Sequence, residues 1–101
     1  AILENYVVGE IRKSYLNCGK QPFMYYYRDK QQQEIDLILE TNGELHPIEI
    51  KKSSNPTMSM IKNFGILKKT ERKVGCGAVI CFKDRITALN SDNLVVPIYC
   101  L

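Results

Sequence analysis

Glu34-Ile35-Asp36-Leu37-Ile38-Leu39-Glu40-Thr41-Asn42-Gly43-Glu44-Leu45-His46-Pro47-Ile48-Glu49-Ile50-Lys51-Lys52 is two apolar-patterned runs joined by Asn-Gly. Asn-Gly between such runs is a strong hairpin signal, because both central residues of a type I′ turn take positive φ. With Asn42 and Gly43 as the loop, paired positions sum to 85. Thr41 then faces Glu44, Ile38 faces Pro47, Asp36 faces Glu49 and Glu34 faces Lys51. Side chains alternate along a strand, so these pairs share one face. The other face carries Ile35, Leu37 and Leu39 against Ile48 and Ile50, a core face. Residues 34–40 alternate polar and apolar apart from Ile38, and the return strand runs over 44–52.

Two carboxylates directly opposite sit about 5 Å apart at Cβ and repel unless something compensates. A divalent cation does so, and Mg²⁺ favours one or two carboxylates completed by waters and phosphates. Lys51 points to the same side as Glu49. The register therefore brings Asp36, Glu49 and Lys51 to one surface. Two readings stay open on these grounds: a metal site, or a cross-strand Glu34–Lys51 ion pair with Asp36 and Glu49 solvated.

Outward from the hairpin, residues 2–17 read as an amphipathic helix. Leu3, Val7, Glu10 and Ser14 lie on one stripe, with Tyr6 and Ile11 beside it, and Asn17-Cys18-Gly19 ends the helix. Glu10 on that stripe needs a cation, a partner or access to water. Phe23–Arg28 is an aromatic strand whose tyrosines either stack bases or simply bury one face, and residues 29–33 form a turn. Ser53-Ser54-Asn55-Pro56 lead into a second amphipathic helix over 57–70, with Met60, Ile61, Phe64 and Leu67 inward. Gly65 weakens it by about 1 kcal/mol unless close packing requires it. Residues 74–82 read as a buried strand, in which Gly75 and Gly77 mark close approach. Residues 93–100 read as a last strand, placed at an edge by Pro97. The order is that of a single α/β domain with a mixed sheet over 1–101.

At 101 residues the chain is large enough for one core. Hydrophobic residues make up 45% and charged residues 25%, which excludes disordered and collagen-like classes. No apolar run reaches the roughly 20 residues of a transmembrane helix, so no membrane partner is expected. The net charge is +3, but Lys51–Lys73 holds seven basic residues against Glu71. That segment is either a polyanion-binding surface or a solvated helix face. Cys18, Cys76, Cys81 and Cys100 form no C-x-x-C pair, and His46 is the one histidine, a poor fit to structural zinc. Such cysteines suit a reducing, cytoplasmic setting, the alternative being a disulfide pair in an extracellular one.

An Asp on one strand followed by Glu-x-Lys on the next resembles the PD-(D/E)xK nuclease-like superfamily. Here these are Asp36 and Glu49-Ile50-Lys51. More narrowly, Leu3-Glu4-Asn5-Tyr6-Val7, Tyr25-Tyr26-Tyr27-Arg28, Glu34-Ile35-Asp36, Gly43, Ile48-Glu49-Ile50-Lys51 and Val96-Pro97-Ile98-Tyr99 resemble the C-terminal domain of unknown function attached to prokaryotic AAA+-type ATPases. The resemblance implies a restriction-endonuclease-like αβββαβ core with a mixed central sheet. It also implies an ATPase module upstream; this chain has no G-x-x-x-x-G-K-[ST] loop and would not bind ATP by that device.

As a nuclease, the chain would hold Mg²⁺ or Mn²⁺ on Asp36 and Glu49, with the Ile50 carbonyl and Glu10 as further ligands. Lys51 would act on the attacking water. Arg28, Lys52, Lys62, Lys68, Lys69 and Lys73 would contact the phosphates of DNA or RNA. The alternative is a catalytically inactive module of the same fold that binds nucleic acid or protein and regulates the ATPase.

Overall fold

The computed structural model describes residues 2–21 and 23–101. Helix α1 spans Ile2–Asn17. Val7 and Ile11 are its buried residues, with Leu3, Val8 and Tyr15 packed beside them. The inward line thus runs through positions 3, 7, 11 and 15, a step of about one helical turn each. The expected line through Glu10 and Ser14 is displaced to the rim, and Tyr6 is exposed. The helix stops where expected. Gly19 has φ 72°, and the Gly19 and Lys20 amides donate to the Leu16 and Tyr15 carbonyls at 3.0 Å, a Schellman closure.

Seven strands follow: β1 (Phe23–Arg28), β2 (Glu34–Thr41), β3 (Glu44–Ile50), β4 (Lys73–Val74), β5 (Gly77–Cys81), β6 (Thr87–Ala88) and β7 (Asn93–Pro97). They form one sheet in the order β1-β2-β3-β5-β7-β6, with β4 also on β3. The β1–β2, β2–β3 and β6–β7 pairs are antiparallel, whereas β3–β5 and β5–β7 are parallel. Asn42 and Gly43 have φ 51° and 80°, as the I′ turn requires. The β2–β3 ladder runs from Thr41↔Glu44 to Leu37↔Ile48, every rung in the expected register.

Beyond that rung the strands depart from expectation. Tyr25 pairs with Ile38 but Tyr27 pairs with Ile35. Two residues of β1 span three of β2, so β2 bulges at Asp36-Leu37. A bulge leaves one residue unpaired and switches the side chains beyond it to the other face. Ile35 therefore packs in the same layer as Ile38 and Leu45, not with Leu37. Nor does Glu34 meet Lys51: it pairs with Arg28 on the neighbouring strand, Nε to Oε1 at 2.9 Å. The return strand closes at Ile50, short of Lys51 and Lys52.

The second helix is a 3₁₀ helix, Met58–Lys69. Such a helix brings every third residue onto one line, and burial follows that period. Ile61, Phe64 and Leu67 are buried, Lys62, Gly65 and Lys68 are exposed, and Met60, Asn63 and Ile66 lie between. The spacing of the three large apolar residues matches this winding. They pack against Ile35, Ile38, Val79, Cys81 and Val95. Ala78, Ile80 and Val96 turn the other way, toward α1. The result is a mixed α/β domain with α1 on one sheet face and the 3₁₀ helix on the other.

The expected strand over 74–82 is split into β4 and β5. β7 is not an edge strand, because β6 covers it at Leu94 and Val95. Pro97 is tolerated since β6 ends before reaching it, leaving no partner there to need its missing N–H. Among the described residues no helix is long and apolar enough to cross a membrane, and all four cysteines are free.

A Cβ on Gly77 would collide with Asn93 Oδ1 and come within 2.9 Å of the Phe64 ring. One on Gly65 would meet nothing within 4 Å, so close packing does not require that glycine. Gly77→Ala is expected to destabilise the fold by about 1–3 kcal/mol, and Gly65→Ala to stabilise it by about 0.5–1 kcal/mol. Urea denaturation of both variants checks the opposite signs.

Candidate active site

Along β3, Leu45, Pro47 and Glu49 point toward the 3₁₀ helix, while Ile48 and Ile50 point toward α1. Alternation thus drives a carboxylate into a position the strand otherwise fills with apolar groups. Glu49 is 6% exposed and is the one buried charged residue among those described. Its Oε1 is buried without a hydrogen-bond partner, and its Oε2 lies 3.6 Å from Lys51 Nζ. Burial pushes the Glu49 carboxyl up to about 7, with the Asp36 charge adding to the rise and Lys51 opposing it. A carboxylate in that setting lacks solvation that water or a cation would otherwise give.

Asp36 sits at the bulge. Its Oδ2 accepts the Ile50 amide proton at 2.9 Å, which takes the place of the next rung of the β2–β3 ladder. The two strands part there, and hollows open on either side. One, about 330 Å³, is lined by Asp36 with Glu4, Asn5, Tyr26, Arg28 and Glu34 among others. The other, about 290 Å³, is lined by Glu49, Lys51, Ser59, Met60, Lys62 and Asn63. Asn63 ties the helix to the sheet between them, donating from Nδ2 to the Glu34 carbonyl at 3.0 Å. The Asp36 hollow carries three carboxylates against one guanidinium. The Glu49 hollow carries two ammonium groups beside a single carboxyl.

The residues expected at this site separate into two sets. Asp36, Glu49, Ile50 and Lys51 come together at the parting of β2 and β3, and Lys62 joins them from the 3₁₀ helix. Ile50 contributes its amide to Asp36, while its side chain belongs to the α1-side core. Arg28 lines the Asp36 hollow but is engaged by Glu34. Glu10 lies elsewhere. It pairs with Lys13 at 3.6 Å and borders an apolar hollow with Ile48, Ile80 and Leu101. The helix carboxylate that faces Asp36 is Glu4, six residues earlier and about 9 Å along the axis. Phasing the α1 stripe on Val7 and Ile11 was the signal for it.

Lys52 is exposed at the end of β3 and Lys69 at the end of the 3₁₀ helix. Lys68 borders a different hollow, with Gly75 and Asp92. Lys73 pairs with Glu44 at 3.1 Å, at the far end of β3, about 16 Å from Glu49 along the strand.

Among the described residues no three His, Cys, Asp or Glu side chains converge as a metal cage. The donor set present is a pair of carboxylates, one with an orphaned buried oxygen. That fits a hard cation keeping most of its waters, and does not fit zinc or an all-protein calcium cage.

The raised Glu49 carboxyl has a signed consequence. Between its ordinary value of 4.5 and about 7, the folded chain holds a proton that the unfolded chain has released. Stability is therefore highest below that window, falls as pH rises through it, and levels off above it. Denaturation in EDTA across this pH range is expected to show the slope in the wild type. Glu49→Gln is expected to abolish it and to be the more stable protein above pH 7.

No curated protein and no solved structure gives a significant match to the chain. One family model does match, and it runs through every part of the arrangement, from the α1 carboxylate to the closing turn at Ile98–Cys100. It spans residues 1–101, and the chain belongs to the family it describes, Domain of unknown function (DUF4143).

Proposed function

We propose that this domain hydrolyses phosphodiester bonds of DNA or RNA with Mg²⁺ or Mn²⁺, as the restriction-endonuclease-like nuclease domain of an AAA+-type ATPase. The observation that carries this reading is Glu49: a buried carboxyl with an orphaned oxygen, beside Asp36 and two residues before Lys51. Asp36 and Glu49 would hold the ion. Glu4 takes the place the sequence reading gave to Glu10, because it borders the Asp36 hollow. When bound, such an ion offsets charge on the scissile phosphate and acidifies a water.

The chain's own groups do the rest. Glu49 would have to give up its proton to serve as a ligand, so ion binding is expected to strengthen as pH rises. Lys51 stands at Glu49 Oε2 and stabilises negative charge developing on the phosphate. The Ile50 amide holds Asp36 in place through Oδ2, so the carboxylate is oriented before any ligand arrives.

A second reading is a nuclease-fold module that binds nucleic acid or protein without turnover. It is favoured by the absence of a three-ligand cluster among the described residues and by the engagement of Asp36 Oδ2 with backbone.

Thermal melts and cleavage assays with and without Mn²⁺ separate the two. Under the nuclease reading Mn²⁺ raises the wild-type midpoint and supports cleavage of a DNA or RNA substrate. Asp36→Asn and Glu49→Gln lose both effects. Lys51→Met keeps the Mn²⁺ shift but loses activity by roughly a hundredfold or more. Cleavage that survives Asp36→Asn, or a wild type indifferent to Mn²⁺, overturns it.

A further inference from the structure

The geometry points to Lys62 as the residue that seats a backbone phosphate of the polynucleotide, on the 3₁₀-helix side of the sheet. This inference rests on the nuclease reading and deepens it by giving the substrate a side of approach. The two hollows that flank the parted strands differ in sign. The Asp36 hollow, with Glu4 and Glu34, repels a phosphate. The Glu49 hollow presents Lys51 and Lys62, with the Ser59 hydroxyl and Asn63 amide on its wall. Arg28 in the Asp36 hollow is engaged by Glu34, so a polyanion entering the site meets net positive charge from the Glu49 side alone.

Lys62 differs from the other lysines of its helix. Lys62, Lys68 and Lys69 are all exposed and without a carboxylate partner among the described residues, and Lys62 alone of them borders the same hollow as Glu49 and Lys51. Lys51, by contrast, already faces Glu49 Oε2. Lys68 borders another hollow, which contains Asp92, and Lys69 is exposed at the helix end. The helix is tied to β2 through Asn63 and the Glu34 carbonyl, so Lys62 sits on a fixed mount next to the reacting groups. One phosphate contact of this kind lowers the salt dependence of binding by about one unit of slope when removed.

The test uses labelled single-stranded and duplex DNA and RNA. Binding is measured by fluorescence anisotropy in EDTA over a range of salt, and steady-state cleavage in Mn²⁺. Lys62→Ala is expected to weaken binding and raise KM about tenfold, to reduce the salt slope by about 1, and to leave kcat within about twofold. Lys62→Arg restores most of the affinity, and Lys20→Ala, at the hairpin-turn end of the sheet, shifts it by less than about twofold. Thermal melts verify that all three variants fold. Equal losses in Lys62→Ala and Lys20→Ala overturn the inference while leaving the nuclease reading intact. Binding that depends on Lys62 without metal-dependent cleavage by the wild type supports the phosphate seat and removes the catalytic reading. A wild type that binds no polynucleotide removes both.

Discussion

The hydrogen bond from the Ile50 amide to Asp36 Oδ2 stands where a strand-to-strand rung would otherwise be. A buried amide needs an acceptor, and at this point the bulge in β2 has removed the expected one. Asp36 supplies it with a side chain. The substitution lets β2 and β3 part without an unsatisfied amide, and the parting opens both hollows. It also pins one carboxylate between them, while β3 continues as a parallel partner of β5 from Ile48 to Ile50. Glu49 sits on the stretch of β3 held by β5 alone. Its position is fixed by the sheet, and its solvation is not supplied by it.

That division explains the electrostatics of the site. Burial alone would keep Glu49 protonated, and Asp36 pushes in the same direction. Lys51 lowers the cost of ionisation without removing it, because one ammonium at 3.6 Å reaches one oxygen and leaves the other orphaned. A buried carboxylate held this way is poor for stability, and buried charged groups are often replaceable by apolar ones without loss. Under the proposed function the missing solvation would come from a bound ion.

Much of this was legible in the sequence, and the exceptions have particular causes. Asn42-Gly43 set the hairpin and its register, since backbone chemistry at two positions specifies both. Gly19 ended α1 for the same kind of reason. The bulge had a signal too. Ile35 and Ile38, three apart, share one face while Leu37 takes the other, a spacing that strict alternation forbids. Strict alternation placed Ile35 with Leu37 and Glu34 with Lys51; one extra residue in β2 undid both. The choice of Glu10 over Glu4 came from a stripe phased on Leu3, Val7 and Glu10, when Val7 and Ile11 are the residues the sheet buries. Pro97 signalled an edge, yet the two-residue β6 lies outside that strand and is too short to be read from periodicity.

The 3₁₀ helix carries a consequence for chain length. Its cross-section is a triangle, with an apolar side through Ile61, Phe64 and Leu67 and a cationic side through Lys62, Gly65 and Lys68. Inserting or deleting a single residue turns everything beyond it by about 120°, which brings lysine to the core and leucine to water. A change of three residues restores every side to its place. An α-helix has no such three-residue period, and at 3.6 residues per turn comes nearest to restoring its faces after changes of four or seven. A change of length within this helix is therefore expected to leave its packing intact only in steps of three.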